Sequence, residues 1–483
     1  MSRQLLSKSP QVLTSSLSPA IRWRYYYRYR VLLARNIIPF AWPILIELAC
    51  VVLMGIVSTI LVSRLGNVQT AAVGVSDSVT FIIISVLMAV ELGGSVLIAH
   101  AFGKRDMQKV VAGAPQVVNL AIVFSLLAGL GIFVFAKPLL QVIAYGADEQ
   151  VIAMAATYLK TIAFSFPALA IVFAGSGVLR AVGNSRLPAM SNILMNLLNI
   201  VFSYPLIYGF HWLGGDVWQG FGLIGAGLGI CAARWAGALM ILYCLANNQH
   251  FNLKLKSYFT AINRLILREI LGIGVPASVE SMMFNVGKLI TQMMVAGMGT
   301  AAMAGNVVAF SIALLINIPG NALAITCTVL IGRRLGQDKP NVAQRELRLC
   351  FYFATALIVS FAGLSALFAE QLARLYTSEP EVIEIVVKLI HMNALMSPIW
   401  AASFVLPNAF KGAKDVKYTM WTAIVSMWGC RIVLGYVLGI VWGLGVYGVW
   451  LGMFADWWFR GALYCWRLIN RRWLHPYLQS KSG

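Results

Sequence analysis

A 61-residue stretch, Pro43 to Gly103, returns 233 residues later as Pro276 to Gly336 without a gap. The two runs share 13 identities, among them Pro43/Pro276, Glu47/Glu280, Gly66/Gly299, Ala71/Ala304 and Val96-Leu97-Ile98 against Val329-Leu330-Ile331, and Ser95 answers Thr328. Each run is two long apolar segments joined by a turn at Gly66 or Gly299, and the first segment of each carries a carboxylate four residues after a proline. The fold must therefore meet the same constraints twice, including a costly acid inside an apolar segment.

With 60% of 483 residues hydrophobic, 11% charged and a mean hydropathy of +0.79, the chain has too little polar surface to coat a soluble globule. It reads as a polytopic membrane protein. A span needs about 20 apolar residues, and twelve such segments occur. Six lie near residues 37–63, 71–102, 115–145, 150–179, 188–210 and 221–246, and six near 270–298, 301–332, 349–376, 382–410, 418–440 and 445–466. The expected fold class is an all-α membrane protein of twelve transmembrane helices in two six-helix lobes. The expected domains are a basic tail (1–36), a first lobe (37–246), a basic linker (247–268, with Lys254, Lys256, Arg264 and Arg268), a second lobe (269–472) and a tail (473–483).

The net charge of +20 would suggest nucleic acid in a soluble protein, but here it sits in the connections. The two tails and the turns after the even-numbered spans hold 28 of the 37 Lys and Arg residues, which places both termini in the cytoplasm. Six spans per half is even, so the halves are parallel repeats about an axis along the membrane normal. The run Trp23-Arg24-Tyr25-Tyr26-Tyr27-Arg28-Tyr29-Arg30 reads as an interfacial anchor on an anionic leaflet. The acid-free leader also imitates an organelle transit peptide. The seven cysteines show no spacing suited to zinc or a disulfide framework.

The duplication continues at a slightly different offset. Pro167 answers Pro398, Leu179–Arg186 answers Phe410–Lys417, and Gly222-x-x-Gly225-x-x-x-Gly229 answers Gly445-x-x-Gly448-x-x-x-Gly452, where small residues let helices approach closely.

From about residue 37 to 472 the chain resembles the multidrug and toxic compound extrusion (MATE) family of secondary transporters. The resemblance rests on the proline-led first span of each half, the Leu65-Gly66 and Met298-Gly299 turns, Phe102-Gly103-Lys104-Arg105-Asp106, Leu179 to Pro188, Asn199, Arg431-Ile432 and Gly448-Val449-Trp450. It implies a V-shaped pair of lobes around a large central cavity that alternates between inward and outward openings. It also implies a monomer in a bacterial inner membrane that exports small organic compounds, drugs or metabolites, by antiport against protons or sodium ions, with no cofactor beyond that coupling ion. Many relatives carry aspartates where this chain has Ser58 and Ser203, and others carry acids at positions aligned with Phe284 and Trp400. Of the first-lobe site only Asn199 survives.

Depth is a separate guide to the coupling residues. At 1.5 Å per residue, Glu47 and Glu280 lie about 15 Å into spans 1 and 7, and Glu91 about 16 Å from the cytoplasmic end of span 2. Burial there opposes the charged form of an acid, so each can exchange a proton or, when partly hydrated, bind a cation. Glu280 is the first candidate for the coupling acid, with Glu47 and Glu91 as a first-lobe pair. The alternative is that these acids are neutral and bonded to carbonyls freed by Pro43 and Pro276.

Among the other charges, Asp456 and Arg460 stand four apart on one helix and suit a self-neutralised pair. Arg234 and Arg431 either balance a buried acid or attract an anionic substrate. Lys288 is placed to snorkel at the outer end of span 7, and Asp77 near the same surface. Met283 and Met294 belong to a methionine-rich span 7 that suits a cavity accepting many shapes, or simple packing. No metal site, catalytic cluster or phosphate loop appears, so an enzyme is not expected. A lipid-linked oligosaccharide flippase of the same superfamily and, further off, a channel are the rival functions.

Overall fold

In the computed structural model of the protein the described residues are 19–144, 148–212, 215–248, 253, 257–258 and 263–482. The leader before Pro19, the side chains of the Trp23–Arg30 run, and the linker lysines Lys254 and Lys256 lie outside them. Apolar helices dominate, as they must where a spanning backbone finds no water to bond. In chain order they are α1 (Pro19–Ser63), α2 (Asn67–Lys104), α3 (Met107–Ile143), α4 (Glu149–Ala163), α5 (Phe166–Ala181), α6 (Arg186–Tyr208) and α7 (Leu223–Ala246). There follow α8 (Arg264–Ala296), α9 (Thr300–Gly336), α10 (Pro340–Leu367), the short α11 (Ala369–Arg374), α12 (Pro380–Gly412), α13 (Val416–Ser426), α14 (Gly445–Ile469) and α15 (His475–Ser482). Two π-helical stretches, Met427–Leu434 and Val437–Val441, continue α13.

Ten of these helices have the length and apolar composition of a membrane span, counting α13 with its π-helical continuation. An eleventh is the pair α4 and α5, bent by 51° where Pro167 opens the second piece. The twelfth, α14, is 25 residues long and carries Asp456 and Arg460 in its interior. A two-stranded antiparallel hairpin, β1 (Gly209–Trp212) and β2 (Gly215–Gln219), joins α6 to α7. The all-α expectation missed it, although Gly214-Gly215 between two short runs of strand-forming residues is a hairpin signal.

The duplication is written into the backbone. Gly66 and Gly299, 233 apart, precede α2 and α9 with φ of 130° and 108°, a region open to glycine at little cost. Arg105 and Asp338, again 233 apart, close the same two helices in the left-handed region. The small-residue motifs hold helices together as their spacing suggests. A Cβ on Gly225 would strike the carbonyl of Leu206, and one on Gly452 the backbone of Gly435.

Contacts divide the chain into two compact units. One is Ile46–Ser278; the other joins the chain up to Leu45 with the chain from Val279 onward. Both changeovers fall inside helices, α1 and α8, three residues beyond Pro43 and Pro276, rather than in residues 247–268. Accordingly Ile37 of α1 lies in the core built by α9, α10, α12 and α14, while Ile266 and Ile270 of α8 lie in the core of α2, α3, α5 and α7. Glycine permits the second arrangement, because a Cβ on Gly93 would meet the carbonyl of Ile270.

Candidate functional site

In the first unit four helices converge on one guanidinium. Arg180, at the end of α5, donates from Nη1 to Glu47 Oε2 at 3.2 Å and from Nη2 to Glu91 Oε1. Glu47 Oε1 also accepts from Asn192 Nδ2 of α6 at 3.1 Å. The three charged side chains are 5%, 9% and 14% exposed for Arg180, Glu47 and Glu91, so two enclosed carboxylates share a single cation. Glycine at 177 makes room, since a Cβ there would stand 2.8 Å from Glu91 Cγ.

The second unit holds a simpler version. Glu280 Oε1 accepts from Lys411 Nζ at 2.8 Å, and its Oε2 accepts from Thr419 Oγ1 at 3.2 Å. In the repeat alignment Glu280 answers Glu47 and Lys411 answers Arg180, so the duplication copied a buried acid–base pair. Glu91 answers Ala324, and the second acid exists once.

Arg180 and Lys411 are corrections to the sequence reading, which counted both among the basic residues of cytoplasmic turns. They are 4% and 8% exposed, and their helices run on to Ala181 and Gly412. The signal was present as two cations in register, each answering an acid in register. Glu280 is the central residue of α8, and Glu47 lies near the middle of the apolar stretch Arg35–Ser63 of α1, while their cationic partners stand at helix ends. Asn192 is about 9 Å along α6 from its start and Thr419 about 4.5 Å along α13, so these two partners sit one to two turns from the 182–185 and 413–415 connections.

Asn199 belongs elsewhere. Its Nδ2 donates to Ser58 Oγ at 3.1 Å and its Oδ1 accepts from Ser203 Oγ at 2.9 Å, a closed and uncharged triad. Arg234 donates from Nη1 to Ser165 Oγ at 2.8 Å, filling the break between α4 and α5. Asp456 Oδ2 accepts from Arg460 Nη2 at 2.9 Å, the pairing expected from their spacing, and Arg431 Nη1 stands 3.9 Å away.

A cavity of about 460 Å³ opens inside the second unit, lined by residues of α8, α9, α12, α14 and the π-helical stretch. Arg431 and Lys288 line it, so Lys288 serves this wall rather than only an outer surface. Met283 and Met294 do not line it, and Met294 packs against the core.

The family profile for MatE matches residues 43–205 and 276–437, once per half, and begins each time on the repeated proline. The chain belongs to the MATE family of transporters. Among curated relatives, the uncharacterized transporter YisQ of Bacillus subtilis is 27% identical over 91% of this chain and 95% of that protein. The probable multidrug resistance protein NorM of Thermotoga maritima is 26% identical over 91% and 93%. The multidrug resistance protein PmpM of Pseudomonas aeruginosa is 26% identical over 96% and 98%. A MATE crystal structure in the bent conformation superposes with a TM-score of 0.84 at 20% identity, covering 93% of this chain and 97% of that one. A MOP superfamily transporter from Pyrococcus furiosus gives 0.83 at 20% identity, covering 91% and 96%. These structures establish the fold: twelve helices in the MATE arrangement.

Against that fold, the four departures noted in the sequence fall in two places. Ser58 and Ser203 complete the neutral triad with Asn199, while Phe284 and Trp400 line the cavity of the second unit. Neither place holds an acid. The three candidate acids Glu47, Glu91 and Glu280 lie instead beside Arg180 or Lys411.

Proposed function

We propose that this MATE protein is a secondary active exporter of small organic compounds, exchanging them for protons across a bacterial cytoplasmic membrane with both termini inside. The relatives named as multidrug resistance proteins support the substrate class, and the basic turns support the orientation. One observation carries the coupling: Glu47 and Glu91 share Arg180, leaving one uncompensated negative charge, whereas Glu280 is balanced by Lys411.

Coulomb energies separate the two clusters. At an effective dielectric of 20, a carboxylate roughly 4 Å from a cation is held by about 4 kcal/mol. Two carboxylates roughly 5 Å apart repel by about 3 kcal/mol. Protonating one acid of the first cluster therefore trades one attraction for relief of a repulsion of similar size and leaves the cluster neutral. Protonating Glu280 forfeits its attraction with no such relief and leaves Lys411 as an enclosed charge. The guanidinium at the centre of the first cluster also repels a sodium ion, which favours the proton. Glu47 and Glu91 thus take precedence over Glu280, and Asn199 has no charge to offer.

In everted vesicles acidified by respiration, a transported dye should discharge the pH gradient with no sodium requirement. Glu91→Gln should abolish that discharge while the protein remains monodisperse. Full exchange by Glu91→Gln and by Glu47→Gln would refute the assignment.

A further inference from the structure

We infer that the cavity of the second unit binds an aromatic organic anion, and that Arg431 and Lys288 receive its negative group. The inference names a substrate class, and it takes from the preceding section only that the protein carries a small organic molecule. Six aromatic side chains, Phe284, Phe310, Trp400, Phe404, Trp450 and Trp457, line the cavity, whereas no aspartate or glutamate does. Asn317 and Asn321 add polar atoms to the lining. At about 460 Å³ the space lies within the range that accepts drug-sized ligands.

The cations there are underused. Arg431 is 2% exposed, yet its Nε has no hydrogen-bond partner and its nearest acid, Asp456, is 3.9 Å away and already bonded to Arg460. Lys288 has no acid partner among the described residues, and its Nζ lies 5.6 Å from the centroid of Phe310. Trp457 Nε1, another donor on the wall, is buried and unpartnered. Arg431 and Arg460 thus share the single acid Asp456, and Lys288 lines the same cavity. An enclosed guanidinium that only shares a counter-ion at 3.9 Å is poorly compensated, a cost that an incoming anion would offset.

The backbone fits the same purpose. Arg431 sits in the Met427–Leu434 π-helix, a rare wide turn that is frequent at functional sites. The Phe284 ring lies 5.5 Å from the Arg431 guanidinium and 5.9 Å from that of Arg460. Trp400 stacks on Phe404 with centroids 4.6 Å apart and planes at 20°. A planar aromatic ligand finds flat partners here, and its acid group finds unspent donors.

The test is calorimetric titration of the full-length protein in phosphatidylcholine nanodiscs with two matched probes, naphthalene-1-sulfonate and the trimethyl-1-naphthylammonium ion. The sulfonate should bind at least tenfold more tightly. Lys288→Gln should weaken it by roughly tenfold, the effect of one charge-assisted hydrogen bond. Arg431→Gln should weaken it further, and the more exposed Lys288 variant decides the matter if Arg431→Gln does not fold. Equilibrium binding needs no gradient, so the titration reads the site even where vesicles show no proton exchange, which separates its outcome from that of ion coupling. Equal affinity for the two probes, or Lys288→Gln binding like the unaltered protein, would overturn the inference. So would loss of sulfonate binding when phosphatidylglycerol is added to the nanodiscs, because the site would then belong to a lipid headgroup.

Discussion

Removing Glu280 separates a structural from a coupling role for the second acid. Glu280→Gln leaves Lys411 enclosed without its counter-charge, in a pair whose side chains are 14% and 10% exposed and 2.8 Å apart. Breaking such a pair from one side costs about 3–5 kcal/mol, whereas replacing both partners by uncharged residues of similar size is close to neutral. Glu280→Gln should therefore unfold at a markedly lower temperature. Adding Lys411→Met should recover most of the loss, with a coupling energy of roughly 2–3 kcal/mol in the double-mutant cycle. The assay is the monodisperse fraction after graded heating in detergent, followed by proton-coupled dye exchange in proteoliposomes for every variant that survives. Since Glu91 and Glu47 are untouched, the double variant should exchange within about threefold of the unaltered protein. If it is stable but silent, Glu280 is the coupling acid and the charge count at Arg180 misleads. If it is no more stable than Glu280→Gln, Lys411 is not its partner in the membrane.

Three further outcomes follow from the geometry. Arg180→Gln strands two carboxylates rather than one, so it should lower folded yield more than Lys411→Gln, measured by gel filtration of equal expressions. Gly452→Val should cost at least 1–3 kcal/mol, read as a lower melting temperature, because its side chain meets the Gly435 backbone, which cannot yield as a flexible side chain would. Asp415→Asn weakens a bidentate contact with Arg467, at 2.6 and 2.9 Å, whose guanidinium also stacks 3.8 Å over Tyr418. It should cost about 1–2 kcal/mol in the same melting assay while leaving exchange intact.

The sequence makes the repeat, the class of fold and the acids Glu47, Glu91 and Glu280 readable, because apolar spans and a gapless duplication leave few alternatives; it gives no sign that Glu346 and Asp415 are enclosed as well. It hides which side chains meet. Arg180 and Lys411 stand at helix ends close to basic residues that do serve the connections, such as Arg186 at the start of α6 and Lys414, and only the packing of α1 or α8 against them turns a topology charge into a partner. The cavity was hidden for another reason. Its wall draws on Phe284, Asn306, Trp400, Arg431 and Trp457 from separate helices, and a π-helix that breaks the 3.6-residue period brings Arg431 to it. The register of the duplication was the better guide throughout, since it already set Glu47 over Glu280 and Arg180 over Lys411.

That register also explains why only one half has a spare charge. Glu91 passes over Gly177, where any side chain would strike it, while their counterparts in the second half are Ala324 and Asn408. Size has been exchanged across the contact: a large acid over glycine in one half, alanine beneath asparagine in the other. Ala324 is 2% exposed, and the neighbouring Thr328 bonds to the Asn408 carbonyl at 2.9 Å, so α9 and α12 are already close there. Ala324→Glu alone should therefore overpack the contact and lower the melting temperature, by the 1–3 kcal/mol usual for an inserted side chain and more for an unpaired acid. Adding Asn408→Gly should relieve it, because the new carboxylate then gains the space and the cation that Glu91 has in the first half. The second unit would hold two acids on Lys411 and should take up one additional proton, measurable as a raised proton-to-substrate ratio in proteoliposomes. A double variant as unstable as Ala324→Glu would mean that the two halves no longer share the geometry their sequences share, and that the charge count of one cannot be transferred to the other.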